Sequence, residues 1–247
     1  MEQSLRNVRV ESGSKFIGMV FLYTFIALAI TAVTSAVVGL IFSKAIAPID
    51  EYTFEINVEA MKPYIILLIV SFVMYFPLII WIHLVGFRGK GRLDIPFVLY
   101  AIVMGVLISS FTMFVPFHLI SISFGITCVV FGILSLIGLT SKKDLSFLGL
   151  VAGGIFIGAL IMSLFNLIWM FVFPATFQTM YWLISYAIFF AMMLITVYDV
   201  YRVKQIAQNG NHSTNVALFC AFNLYVDFIY IFIRILAIVV RITQRNR

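Results

Sequence analysis

The chain has 247 residues, of which 63% are hydrophobic and 11% charged, and its net charge is +6. A soluble domain of that length needs far more polar surface, so the composition excludes one and points to an integral membrane protein. The positive balance is not a nucleic-acid signal, because Lys and Arg collect at termini and loops, where membrane topology uses them.

A helix needs about 20 apolar residues to cross the hydrocarbon core. Seven runs meet that length, at 16–42, 63–87, 95–114, 116–139, 147–173, 177–200 and 216–241. The first is too long for a signal-peptide core and is expected to remain as a helix. After it comes a true loop, "SKAIAPIDEYTFEINVEAMK", with Asp50, Glu51, Glu55 and Glu59. The last three recur every fourth residue, so a helical turn would put them on one face. A solvated surface and a cation-gathering pore mouth are both compatible with that pattern. The second run carries a lone His83, which reads as a packed or interfacial side chain, since no second His is near. "RGKGRLD" and "TSKKDLS" are short basic connections, and Pro116 and Pro174 mark tight reversals. The fifth run opens with "GLVAGGIFIG", where Gly149 and Gly153, then Gly154 and Gly158, stand four apart. Small residues at that spacing let membrane helices approach closely. Asn166, further along, reads as a bridge between helices. Cys128 and Cys220 fall in apolar runs and read as buried, inert thiols.

The domain reading is a cytosolic N-terminal segment 1–15, a single seven-helix membrane domain 16–241 and a basic tail 242–247. Orientation follows from Lys and Arg. Arg6, Arg9, Lys15, Arg88, Lys90, Arg92, Lys142, Lys143, Arg202 and Lys204 fall on one side, and only Lys44 and Lys62 on the other. This predicts a cytosolic N-terminus. Arg241, Arg245 and Arg247 break the pattern: either the seventh helix crosses despite them or it turns back, and the earlier loops favour crossing.

Ten residues are acidic, and eight of them lie in the N-terminal segment or in loops. The exceptions are Asp199 in "ITVYDVYRVK" and Asp227 in "NLYVDFIYIFIRIL". A charge at membrane depth costs about 3 kcal/mol or more, so such residues usually face a cavity and a partner. Two carboxylates in one dry site cannot both ionise cheaply, so one of them holds its proton to higher pH. Doubly ionised, they offer hard oxygen ligands of the kind Ca²⁺ takes. Asp199 is three residues from Arg202, whereas Asp227 is 12 past Asn215, roughly 18 Å into its helix, so the depths match only if the seventh helix starts below the membrane surface, and spacing alone does not prove contact. Asn223, Asp227, Tyr230 and Arg234 form one helical stripe, read here as facing the bundle interior. Asn223 and Tyr230 are thus candidate pore-lining residues, and Arg234 either balances the carboxylates or snorkels outward.

"NLYVDFIYIFIRIL" resembles the C-terminal signature of the transmembrane Bax inhibitor motif family. "VYDVYRVKQIA" resembles its penultimate-helix motif, and "FGILSLIGLTSKKDLSFLGL" is similar to the fourth-to-fifth helix junction of its bacterial members. The likeness runs from about residue 95 to 241 with all three motifs in order; the first 90 residues agree only in hydropathy. The resemblance implies an all-α membrane protein with the last of seven helices at the centre of the other six. It further implies a non-enzymatic, pH-sensitive Ca²⁺ leak in a bacterial plasma membrane, with Asp199 and Asp227 as the sensor and Ca²⁺ site. An Arg at the cytosolic end of helix two closes the sensor in the family, and Arg88 matches it best. The implied partners are the bilayer, Ca²⁺ and protons, with no nucleic acid, no cofactor and no particular protein partner.

Competing readings are a non-conducting regulator or scaffold of a stress or cell-death response, a proton-coupled transporter and an intramembrane aspartyl protease. "YD" at 198–199 fits the first protease motif, but "LYVD" does not give Gly-x-Gly-Asp, and no Pro-Ala-Leu sequence exists. No inverted repeat supports the transporter.

Overall fold

The computed structural model describes residues 2–43, 46–48, 54–88, 91–172, 174–210 and 213–245. Seven helices carry the fold: α1 (Glu2–Phe42), α2 (Val58–Arg88), α3 (Asp94–Phe114), α4 (Phe117–Thr140), α5 (Ser146–Val172), α6 (Pro174–Asn209) and α7 (Thr214–Arg245). Each contains a stretch long and apolar enough to cross a membrane. The protein is therefore an all-helical, multi-pass protein embedded in a lipid bilayer, as its composition required. In a bilayer only a helix or a closed barrel satisfies every backbone N–H and C=O internally.

The helices overrun the apolar segments at several ends. α1 starts at Glu2 and α7 runs to Arg245, so most of the N-terminal segment and of the basic tail continue helices. The overrun that bears on the site is at α6, which reaches Asn209 although its apolar run stops at residue 200. Arg202 and Lys204 end the hydropathy signal there, yet both are good helix formers.

The first loop departs from the expected helical turn. Ile46–Pro48 and Phe54–Ile56 form a two-stranded antiparallel ribbon, with Ala47 opposite Glu55. Glu55 therefore lies on a strand, while Glu59 sits in the first turn of α2 and pairs with Lys62 at 2.7 Å. Asp50 and Glu51 lie outside the described residues. The run "FEI" alternates apolar and charged side chains, a strand period that competes with the four-residue spacing of the glutamates.

α7 is the central helix. Of its most apolar window 67% is buried, against 11% for α5. It packs against α1, α4 and α6, and more lightly against α2 and α3, while α5 docks on α6. Its core side chains include Leu224, Tyr225 and Ile231, all fully buried. Tyr225 shares a buried 2.6 Å hydrogen bond with Thr31 of α1, whose hydroxyl also donates to the Ala101 carbonyl of α3 at 3.0 Å. This short chain of polar contacts joins three helices.

Close helix approaches occur at glycines other than the cluster singled out in α5. A Cβ at Gly105 would lie 2.8 Å from the Thr31 carbonyl oxygen, and one at Gly138 2.7 Å from that of Val197. In α5 only Gly149 is in a tight place, against the Tyr198 ring at 3.1 Å; Gly153, Gly154 and Gly158 have nothing within 4 Å. Ala152 and Ala159 make the buried face instead. The reason is geometric: α5 packs chiefly on α6, so Gly153, Gly154 and Gly158 have no helix pressed against them. Cys128 likewise is exposed on the outer face of α4, contrary to its expected burial, whereas Cys220 is buried; both are free thiols.

Candidate functional site

Asp199 and Asp227 come together. Both line a cavity of about 150 Å³ among α2, α3, α6 and α7, along with Tyr75, His83, Tyr100 and Asn223. The overrun of α6 resolves the depth mismatch. Asp199 stands ten residues before the end of α6 at Asn209, and Asp227 thirteen residues after the start of α7 at Thr214. The two depths, about 15 and 20 Å at ~1.5 Å per residue, differ by less than one helical turn. The Gly210 turn, with its positive φ of 80°, lets the antiparallel pair reverse directly.

Asp227 is the more enclosed of the two, at 3% exposure, while Asp199 is half-buried. The Oδ2 atom of Asp227 has no hydrogen-bond partner among the described residues. The buried hydroxyl of Thr196, one turn before Asp199 on α6, donates to the Met192 carbonyl at 2.8 Å. Tyr100 and Phe222 meet nearly edge to face beside the cavity, with centroids 5.0 Å apart, and fully buried Tyr225 stands behind them, its ring 6.0 Å from that of Tyr100.

A second cavity, of about 230 Å³, adjoins the first at the end of the bundle where α2 meets α3 and α6 meets α7. Asp199 and Asn223 line both, and the larger one also includes Gly86, Arg202, Asn215 and Phe219. Asp199 and Asn223 therefore stand where the larger cavity, a vestibule, adjoins the chamber of Asp227. Asn215 pins the vestibule rim by donating to the Gly91 carbonyl at 2.8 Å. At the same end, the Asp144 carboxylate caps the first turn of α5 by accepting from the Ser146 backbone N–H at 2.9 Å. The hydrogen bonds from Ser146 hold the Asp144 carboxyl below the usual carboxylate range.

The structure separates the polar stripe of α7. Asn223 and Asp227 share the chamber, but Tyr230 packs with Ile184, Ile188 and Met192 of α6. Arg234, two turns beyond Asp227, is not brought to the carboxylates. It donates to Ser185 and, at 3.3 Å, to the Tyr230 hydroxyl. Arg202 is the cation beside Asp199, an arrangement that its i, i+3 position on one helix face makes readable. The side chain of Arg88 lies outside the described residues; its backbone closes α2 two residues after Gly86 of the vestibule. Arg92 is engaged elsewhere, in a two-point contact with Asp94 at 2.7 and 3.3 Å.

Three chamber residues had no clear sequence signal. Tyr75 and Tyr100 are aromatics in aromatic-rich helices, where packing is the ordinary expectation. His83 is a packed side chain, its ring edge to face with Phe219 and Phe222, each with its centroid 5.8 Å away. That packing brings it to the wall of the aspartate chamber. Among the described residues no three His, Cys, Asp or Glu side chains cluster as a metal site. The pair thus contributes two anionic groups, and further oxygen donors for a hard cation are the Asn223 amide, the backbone and water.

A family model described as "Inhibitor of apoptosis-promoting Bax1" matches residues 13–246. The chain is similar to the inner membrane protein YbhL of Escherichia coli K12, 28% identical over 155 residues, or 61% of the chain and 64% of that relative. The match thus spans less than two thirds of that relative's length. It is also 29% identical over 168 residues, 66% of the chain and 69% of the relative, to the uncharacterized protein RP147 of Rickettsia prowazekii. A seven-helix bundle about a central last helix, two facing aspartates on its last two helices, and a family match over nearly the full length lead to one conclusion: the chain belongs to the Bax inhibitor family described as inhibitors of apoptosis-promoting Bax1.

Proposed function

We propose that the protein is a pH-sensitive cation leak, with Ca²⁺ as the main permeant ion and the Asp199–Asp227 pair as both sensor and transient ion site. The observation that carries this reading is the cavity lined by both carboxylates, one of them nearly fully buried with an oxygen unpartnered among the described residues, beside a vestibule that holds Arg202, Asn215 and Asn223. A protonated pair offers a cation little; an ionised pair is a site for a divalent ion or for a guanidinium. Lowering the pH puts one proton on the pair, which loosens its hold on a closing Arg and opens the path while the other carboxylate stays ionised for the passing ion, so flux rises as pH falls. No bond-making chemistry is assigned to the site. The bacterial inner-membrane name of a relative and the distribution of Lys and Arg support a bacterial plasma membrane with the N-terminus in the cytosol.

The closing cation in this proposal is Arg88, because α2 ends beside the vestibule and Arg92 is held by Asp94. Arg88→Ala is expected to raise Ca²⁺ leak at neutral pH, while Arg92→Ala behaves as the parent protein. Leak in Arg92→Ala alone reassigns the latch; leak in neither removes it from the account.

The direct test is Ca²⁺ flux from liposomes holding the purified protein. Flux is expected to rise as the pH falls across roughly pH 6–8, as two carboxylates in one site take up their protons in separate steps. Flux equal to that of empty liposomes at every pH rejects the leak and leaves a non-conducting regulator as the reading.

A further inference from the structure

Arg234 belongs to a different cavity, on the far side of the bundle from the vestibule. About 320 Å³ of space lies among α5, α6 and α7, lined by Ser163, Asn166, Ser185 and Arg234 on its polar side and by Leu164 and Leu167 at its rim. Leu164 is 66% and Leu167 58% exposed, so the mouth lies on the lipid-facing surface.

The polar side is built but incomplete. Asn166 is 6% and Ser185 5% exposed. The Nε–H of Arg234 and the amide oxygen of Asn166 are buried with no partner among the described residues. The two terminal nitrogens of Arg234 are used, one on Ser185 and one on the Tyr230 hydroxyl. The ion pairs among the described residues are Glu59–Lys62 and Asp94–Arg92, so no carboxylate balances Arg234 there. A guanidinium at membrane depth needs a counter-charge, and buried donors and acceptors need partners. Water meets the second need but not the first.

Depth and shape indicate what meets both. Arg234 lies seven residues before Arg241, about 10 Å along the helix. Arg241 stacks on the Trp182 ring at 3.8 Å, a pairing suited to the membrane interface. The cavity thus sits just below interface level, polar inside and apolar at its lip, which is the polarity of an amphiphile entering sideways.

We propose that this cavity binds the anionic head group of a membrane lipid. A phosphate oxygen accepts from Arg234 Nε–H, the Asn166 carboxamide meets a second head-group atom with its acceptor or donor end, and an acyl chain lies over Leu164 and Leu167. Free phosphate shares the oxyanion chemistry but has no use for the apolar lip. This inference does not rest on the leak reading.

The test uses the full-length protein in phosphatidylcholine vesicles containing rising fractions of brominated phosphatidylglycerol, read by quenching of tryptophan fluorescence. Trp169 on α5 and Trp182 on α6 flank the region, and Trp81 on α2 reports lipid elsewhere. The parent protein is expected to prefer the anionic lipid over brominated phosphatidylcholine by about fivefold, the size of one basic group's contribution. Arg234→Gln is expected to lose that preference, and Arg234→Lys and Arg241→Gln to keep most of it. Asn166→Leu, which fills the polar end while sparing the charge, is expected to weaken it, with an unchanged melting temperature certifying the fold. Equal preference in the parent protein and Arg234→Gln, or none in the parent, overturns the proposal. So does loss of the preference on adding inorganic phosphate at constant ionic strength, which would assign the cavity to a small oxyanion.

Discussion

Asp227→Asn is expected to remove most of the pH dependence of Ca²⁺ flux in liposomes. The substitution keeps the size and hydrogen-bonding capacity of the side chain and removes only its titratable charge. Asp227 is 3% exposed and has one oxygen facing no protein partner among the described residues. A neutral amide there takes away half of the anionic charge that a divalent ion or a closing guanidinium would feel. In a low-dielectric chamber that interaction is several times stronger than in water. The expected curve is flat, at a flux set by the remaining Asp199, and Ca²⁺ affinity falls as well, because Ca²⁺ favours several anionic oxygens. A variant that keeps the full pH response would move the sensor to another group in the chamber, with His83 the first to examine.

Gly138→Ala is expected to be, with Gly105→Ala, among the most damaging single-methyl changes in the bundle. Its Cβ would lie 2.7 Å from the Val197 carbonyl oxygen and 2.9 Å from the Val200 Cβ. Those contacts are backbone and branched side chain, so the strain is relieved only by pushing α4 away from α6. Overpacking of this kind costs about 1–3 kcal/mol. Val197 and Val200 flank Asp199, so the shift reaches the sensor as well as the fold. Gly153→Ala is the control, since a Cβ there meets nothing within 4 Å and Ala favours helix over Gly by about 1 kcal/mol. Thermal unfolding in detergent is expected to show a clear drop for Gly138→Ala and none for Gly153→Ala. Equal melting temperatures would mean that α4 and α6 pack less tightly than described.

Much of this was legible before any coordinates. Seven apolar runs became seven helices because spanning a bilayer leaves a chain few other choices. Asp199 and Asp227 stood out because charge inside such runs is costly. Their relative depth stays open in the sequence because hydropathy stops at Arg202, whereas the helix continues to Asn209. Hydropathy registers where water begins, not where hydrogen bonding ends. The glycine cluster of α5 misled for a related reason: spacing permits close approach but does not say whether a neighbour is there. Gly105 and Gly138 are isolated glycines in sequence, and only the packing of α1 and α6 against them gives them weight. The spacing of Asn223, Asp227, Tyr230 and Arg234 gives one helical stripe, but α7 is surrounded by neighbours, and its two ends meet separate cavities.

The central claim is that the two aspartates act as one titrating unit. A double-mutant cycle in liposomes tests it most directly, with the apparent pKa of flux and the Ca²⁺ affinity measured for the parent protein, Asp199→Asn, Asp227→Asn and the double variant. Groups in one coupled site give non-additive effects. The account predicts that each single variant flattens the response and that the double variant adds little to the worse single. Shifts in the double variant equal to the sum of the two single shifts, in both apparent pKa and affinity, would contradict it.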